Sequence, residues 1–435
     1  GSIQGLAAES TSFKFGLLHD SVLEFEAVLS DGTVLTCSPT SNAELFYGLP
    51  GSFGSLAICT SAKVLCIPAL QYVLVTPRLH SSHSLCVAHM HALMLQTGEG
   101  GARGQADFLE GIGYSQEQFL SLKGQFHCGE GGEGLSGVSG AVAAVGTEAV
   151  GAAEAVGAAE AVGAAEAVGA ARSVGAQAAG PATSRLPVFR PLSWGSRWFY
   201  SYAQQQGRQC QADVAGLSAY SAETGVIGAT VEAATGAFLM PTKDYLFRHD
   251  RGSFWMASYR IPEPIGRLMG GLLDSSSMFE LANLLPWVFA RNLICLQDFM
   301  LPADRVGPFL EGMQAQLDLW PVWLLPMYNA AEGTSKTPVF SVAREALPRG
   351  HFVNVGAYGI PRKAYDFVPA NLALESLLQA CEGRKVYYSH AFYEKQAFYG
   401  DMYDGARYFS LRDRYCADAA FPEVFDKVVT KDGKL

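Results

Sequence analysis

An α+β fold with an antiparallel sheet is what this 435-residue sequence predicts, and two observations carry that reading. The first is a hairpin near the amino terminus, where Val22 to Leu29 and Thr33 to Thr36 flank Asp31-Gly32, a pair suited to the positive φ angles of a tight turn. The second is the order helix, strand, strand, helix, strand between Val306 and Tyr388, which suits an antiparallel sheet with helices on one side.

Each element has its own justification. Two segments rich in small residues, Gly1 to Gly16 and Gly51 to Ile58, bracket the hairpin, and their backbone can lie against a large flat ligand where side chains would intrude. In the first hairpin strand Leu23, Phe25, Ala27 and Leu29 share one face at period two. Ser41 with Glu44 three residues on reads as a capping box for a short helix, stopped by Gly48 and Pro50. Ile58 to Ile67 is a strand closed by Pro68, and Tyr72 to Thr76 is another. Leu85, Ala88, Ala92 and Leu95 give the apolar face of a helix, and Asp107 to Gly111 follows it.

Beyond Cys128 the composition collapses into Gly, Ala, Val and Glu, with the hexad Glu-Ala-Val-Gly-Ala-Ala starting at Glu148, Glu154, Glu160 and Glu166. A glycine in every hexad costs a helix about 1 kcal/mol relative to alanine, and the side chains bury little. Residues 129–185 therefore read as a disordered insertion and 204–240 as a second low-complexity insertion. Order resumes near Asp244. Val306, Phe309, Leu310, Met313 and Leu317 form one helical face, and Leu374, Leu377, Leu378 and Cys381 another. Strands are expected at Trp320 to Leu325, Phe352 to Gly359 and Lys385 to Tyr388.

Net charge is -10 with a pI near 5.4, which argues against a nucleic-acid surface. Nine cysteines are scattered without a C-x-x-C pair or metal-type spacing, which fits reduced thiols and no metal site. No apolar run reaches the roughly 18 to 20 residues of a membrane-spanning helix.

Several strings, taken in order, carry a resemblance. They are Glu9-Ser10-Thr11-Ser12 with Lys14 and Gly16, Asp31-Gly32, Asn42 to Tyr47, Arg248-His249-Asp250-Arg251 before Phe254-Trp255, Trp320 to Trp323, Gly356 to Arg362, and Ala420 to Lys427. Residues 1–70 resemble the carboxy-terminal half of a vanillyl-alcohol-oxidase (PCMH)-type FAD-binding domain. The remainder resembles the delta-24 sterol reductase family. The resemblance implies an α+β substrate or cap domain with an antiparallel sheet, made of residues 71–128, 186–203 and 241–435. It also implies a preceding amino-terminal part with a membrane anchor and a place in the endoplasmic reticulum membrane. Leu6-Ala7, Phe13 and Ala57 stand where the family usually has Thr-Gly, His and Gly.

The implied activity is reduction of the delta-24 side-chain double bond of a sterol, with NADPH as electron donor and FAD as cofactor. By the same resemblance Gly1, Ile3, Gly5, Glu9, Ser10, Thr11, Ser12, Gly16, Ser52, Gly54 and Ile58 contact FAD, against the plain alternative of loops beside strands. Tyr388 is the candidate catalytic proton donor, since a phenol donates at neutral pH. Arg248, His249, Arg251, Tyr358 and Arg362 are candidates for substrate or NADPH, with exposed salt bridging as the alternative for the charged ones. Two other functions stay open: an oxygen-using FAD-dependent alcohol or lactone oxidase, and a truncated flavin-free sterol-binding protein.

Overall fold

In the computed structural model, described for residues 1–95, 106–128, 186–209, 236–277, 280, 294–328 and 351–430, two antiparallel sheets organise the chain. The smaller has strands β1 (Val22–Val28), β2 (Val34–Cys37) and β3 (Ile58–Val64) in the order β2-β1-β3. Its hairpin turns at Gly32, with φ at 85°, but Asp31 does not share the positive φ expected of the pair, and its Oδ1 instead accepts from Thr33 N at 2.8 Å. Phe25 and Ala27 face the core as their spacing predicts, but Leu23 does not. A bulge between Val22 and Glu24 shifts the register against β3, so Val22 turns inward and Leu23 meets solvent.

The larger sheet joins β4 (Tyr72–His80), β5 (Phe108–Ser115), β6 (Gln118–His127), β7 (Phe238–Pro241), β8 (Cys295–Pro302), β9 (Val322–Tyr328), β10 (His351–Gly359) and β11 (Arg384–Lys385). Its order is β11-β8-β10-β9-β5-β6-β4-β7, and these neighbours pair antiparallel. Alternation in the strands divides the core. Phe299, Leu301, Leu324, Val353 and Val355 pack beneath the helices His83–Leu95, Val306–Leu317 and Phe367–Ala380. Each such side chain contributes about 1.5–3 kcal/mol by leaving water.

The other face is covered too, which corrects the one-sided expectation. Val73, Phe108, Leu122, Trp323 and Leu325 pack against Phe199 and Ala203 of the 199–209 helix and against Trp255. A strand apolar on both of its faces needs cover on both. Next to this layer, Met300, Met327 and Phe352 pack with Phe25, Leu45 and Leu56 of the amino-terminal region and with Tyr403, Tyr408 and Phe425 of the carboxy-terminal one.

Other local expectations are also revised. The Val306–Leu317 helix buries the five residues its period picks out, but the His83–Leu95 helix turns Cys86, Met90 and Met94 inward and leaves Leu85, Ala88 and Ala92 to solvent. That helix is apolar around much of its circumference, so periodicity did not fix its buried face, and adaptable sulfur-bearing side chains fill the contact. The Ala43–Gly48 helix has Asn42 at its N-cap in the left-handed region, its side chain donating to Thr36 O rather than capping the helix, and Glu44 pairs instead with Arg414. Only Arg384 and Lys385 pair as a strand, after which Tyr387 and Tyr388 leave the sheet in a turn. The stretch 204–240 has regular ends, helical to residue 209 and again in β7, while 210–235, 129–185 and the hexad repeat lie outside the described residues.

Candidate functional site

The amino-terminal glycine segment winds through consecutive turns, with Gly5 N donating to Gly1 O at 2.7 Å and Ala7 N to Ser2 O at 3.0 Å. A Cβ on Gly5 would lie 3.0 Å from Gly1 O, so the turn closes this tightly only with glycine there. Gly51 N donates to Gln4 O at 2.8 Å and ties this segment to the second glycine turn.

Between these turns and the facing side of the larger sheet lies a cavity of about 530 Å³, within the range of roughly 300–1,000 Å³ usual for small-molecule sites. One wall is Gly1, Ser2, Gly5, Leu6, Ala7 and Ala8, mostly backbone and small side chains. The opposite wall is Asp298 and Met300 of β8, Trp323 of β9, and Asn354 and Tyr358 of β10, with Tyr387 and Tyr388 from the turn after β11.

A carboxylate centres the second wall. Asp298 Oδ1 accepts from Asn354 Nδ2 at 2.6 Å and from the Tyr358 hydroxyl at 2.7 Å, and Oδ2 accepts from the Tyr388 hydroxyl at 2.6 Å. Burial raises the Asp298 carboxyl above its ordinary range, opposed by these hydrogen bonds. The Tyr388 ring is exposed along the cavity while its hydroxyl is tucked against Asp298, and loss of water there raises its pKa well above the ordinary phenol value. Tyr388 and Tyr358 therefore keep their protons through neutral pH, and desolvation lifts Tyr358 in the same direction. Asn354 Oδ1 is buried without a partner at the wall, an acceptor free for a ligand donor.

Behind Trp323 stands a second cluster. Glu110 of β5 is fully buried and accepts from Arg248 Nε at 2.7 Å, from His249 Nε2 at 3.1 Å and from Trp323 Nε1 at 2.8 Å. Burial alone would raise its carboxyl, but Arg248 and His249 outweigh that and hold it far below the usual range. Phe254 stacks on His249 with centroids 4.3 Å apart and lies 5.1 Å from Tyr358, linking the cluster to the cavity.

Of the residues singled out in the sequence, Gly1, Gly5, Tyr358 and Tyr388 meet at this cavity. Ile3 packs into the adjoining core. Glu9 is exposed, Thr11 is half-buried, and Ser10 and Ser12 are buried, Ser12 Oγ accepting from Glu9 N at 2.9 Å and Ser10 O accepting from Leu109 N at 2.7 Å. Gly16 turns against Asp20. Ser52 donates to Leu49 O at 2.7 Å, Gly54 faces Lys427 and Gln4, and Ile58 lies exposed on β3. Arg248 and His249 are engaged with Glu110, whereas Arg251 donates to Ser193 O and Arg362 reaches Asp318 on a different surface.

Asp298, Asn354 and Glu110 were not read from the sequence. Each lies among apolar residues in a mainly apolar strand (Cys295–Pro302, where Gln297 is a second buried polar residue, His351–Gly359 and Phe108–Ser115), and that was the available signal, because a polar group in a buried strand needs a partner. Among the described residues no group of three or more metal-ligating side chains converges, and no helix is long and apolar enough to cross a membrane.

No protein-family model matches the chain. It is 24% identical over 437 residues to the Delta(24)-sterol reductase of Macaca fascicularis, covering 98% of this chain and 67% of that protein. It is 23% identical over 448 residues to the Delta(24)-sterol reductase homolog of Caenorhabditis elegans, covering 98% and 68%. A shorter similarity, 37% over 73 residues, relates 17% of the chain to Cytokinin dehydrogenase 3 of Oryza sativa subsp. japonica. The chain thus spans about two thirds of the length of the sterol reductases it resembles.

Proposed function

We propose that this chain, which belongs to the Delta(24)-sterol reductase family, is an FAD-dependent oxidoreductase that reduces the delta-24 side-chain double bond of a sterol with NADPH as the electron donor. The observation that carries the proposal is the cavity itself, where a wall of backbone and small side chains faces a tyrosine–carboxylate network.

That arrangement fits a flavin. Gly1, Gly5, Ala7 and Ala8 leave room for a flat ring system, and the unpartnered Asn354 Oδ1 offers it a hydrogen-bond acceptor. When bound, the flavin supplies the hydride chemistry that no side chain here possesses. The chain's own residues then orient, exclude water and hold a proton. Hydride addition at one carbon of a double bond requires a proton on its neighbour, and Tyr388 holds one at the cavity wall. At rest that proton is given to Asp298 Oδ2, so the hydroxyl must turn from Asp298 toward the substrate to deliver it, while Tyr358 and Asn354 hold Asp298 in place. Trp323, Met300 and Val386 give the cavity apolar surface for a hydrocarbon substrate. The division into a PCMH-type FAD half-domain and a cap, and residence at the endoplasmic reticulum membrane, belong to the same proposal.

The test is a visible flavin spectrum on the purified protein together with NADPH-dependent reduction of a delta-24 sterol. Tyr388→Phe is expected to lower kcat by about 10²- to 10⁴-fold, the usual worth of a placed acid, with flavin content unchanged. A colourless, inactive protein that still binds sterol would instead favour the flavin-free reading, and oxygen consumption without NADPH would favour an oxidase.

A further inference from the structure

Large apolar side chains are exposed together on one part of the surface. Trp194, Leu246, Phe247, Ile265, Leu268 and Leu272 are each between 54% and 72% exposed. Hydrogen bonds gather their segments: the side chains of Arg267 and Arg251 donate from Nε to Gly195 O at 2.7 Å and from Nη1 to Ser193 O at 3.0 Å, and Gly252 N donates to Leu273 O at 2.7 Å. Gly266 lies directly against the Trp198 ring, so the Glu263–Leu268 helix is pressed flat onto the 193–198 segment. An Asp250 N to Phe247 O turn leads from Leu246 and Phe247 directly into the Arg251–Gly252 stretch that these bonds hold. Scattered apolar residues need no explanation, but six this exposed on three joined segments do.

The charges around them are sorted. Arg190, Arg197, Lys243 and Arg260 stand exposed in or beside these segments, against one exposed carboxylate among the described residues there, Glu280. The acidic ones within them are half-buried and hydrogen-bonded: Asp250 Oδ1 accepts from Ser275 N, Glu263 Oε1 from Trp198 N and Ser201 Oγ, and Asp274 Oδ1 from Ser277 N. Asp244 is half-buried within reach of Arg190, Lys243 and Arg251. A chain of net charge -10 thus presents mostly basic exposed charges along the segments that carry this apolar patch. An exposed tryptophan with leucines, isoleucine and phenylalanine, accompanied by arginine and lysine, is the composition that settles at a bilayer interface, where rings and aliphatic chains enter the acyl boundary and cations meet lipid phosphate.

We propose that this surface, built on Trp194, Phe247, Leu268 and Leu272 with the basic residues beside them, docks the protein onto an anionic lipid bilayer. The inference stands apart from the assignment of the cavity, since neither flavin nor sterol enters it. It places a membrane contact in the folded body of the chain.

The experiment is flotation of the 435-residue protein with phosphatidylcholine vesicles and with vesicles that also contain phosphatidylserine. The wild type is expected to float with the anionic vesicles, less with the neutral ones, and to release as salt is raised. Leu268→Glu with Leu272→Glu is expected to lower the bound fraction about tenfold or more, and Trp194→Glu to lower it in the same direction. Leu85→Glu, equally exposed but on the His83–Leu95 helix, is expected to bind as the wild type does. Circular dichroism of each variant checks the fold, and Trp194→Glu decides the matter if the double variant fails to fold. Wild type that floats with neither vesicle, patch variants that float undiminished, or a patch that drives concentration-dependent self-association in sedimentation without flotation would each overturn the proposal.

Discussion

At the scale of single residues, the cavity depends on groups that local sequence makes look ordinary. Gly356 is one: a Cβ there would lie 2.6 Å from the Tyr358 hydroxyl, in the space that lets Tyr358 reach Asp298. Tyr358 is buried and cannot swing clear. Gly356→Ala is therefore expected to cost about 1–3 kcal/mol in denaturant unfolding and to lower activity by displacing that hydroxyl. Glu110 is another. Glu110→Gln leaves the Arg248 guanidinium buried without its counter-charge, and a loss of about 3–5 kcal/mol is expected. The pH dependence has a definite sign. Because the folded carboxyl sits below its unfolded value of about 4.3, its contribution is complete above that value and is lost only as pH falls further toward the folded one. Unfolding measured from pH 8 to 5 should show no titration of Glu110.

At the scale of elements, one hydroxyl joins a helix to two strands. Ser121 of β6 lies 2.9 Å from His80 Nε2 of β4 and 2.9 Å from His89 Nδ1 of the His83–Leu95 helix. The same hydroxyl lies 3.5 Å from Arg78 O, to which it can give its single proton while accepting from the rings, and burial keeps both imidazoles neutral at neutral pH. Burial lowers each to about 4, His89 and Arg78 adding to the effect on His80, and Arg78 and Lys123 on His89. The unfolded chain binds these protons near pH 6.5, so the stabilisation is complete above that pH and falls as pH drops toward 4. The thermal midpoint is expected to decline through that window, the stability falling by at most about 1.4 kcal/mol per pH unit for each ring. A His80→Gln, His89→Gln variant should decline less steeply, which a melting series across the window checks.

At the scale of the whole molecule, the carboxy-terminal segment holds the amino-terminal turns in place. Tyr403 OH donates to Gly51 O at 2.9 Å, and the Tyr408 hydroxyl lies 2.7 Å from Ser55 Oγ. Arg412, buried, donates to Ser55 O at 2.5 Å and to Phe421 O at 2.7 Å. The bonds to Gly51 and Ser55 cross more than 300 residues of sequence, so the second glycine turn is fixed only when both ends of the chain are folded. Arg412→Ala is expected to cost about 1–3 kcal/mol for the carbonyls left unpaired. It should also loosen the Gly51–Ser55 turn, read as faster hydrogen exchange there with little change at β5 and β6.

The sequence by itself determined the antiparallel character of both sheets, the Asp31-Gly32 turn and the buried face of the Val306–Leu317 helix, because turn chemistry and a clean apolar period are local properties. It also singled out Gly1, Gly5, Tyr358 and Tyr388, which converge on one cavity from opposite ends of the chain. Tertiary structure alone decided that Asp298 unites the two tyrosines and that Arg248 and His249 close on Glu110 more than 130 residues away. It also chose Cys86, Met90 and Met94 as the inner face of a helix apolar nearly all round. The reason is the same in each case. A buried polar group must find a partner, and an evenly apolar helix must choose a side, and neither outcome is set by nearest neighbours in sequence but by which strands come to lie beside which.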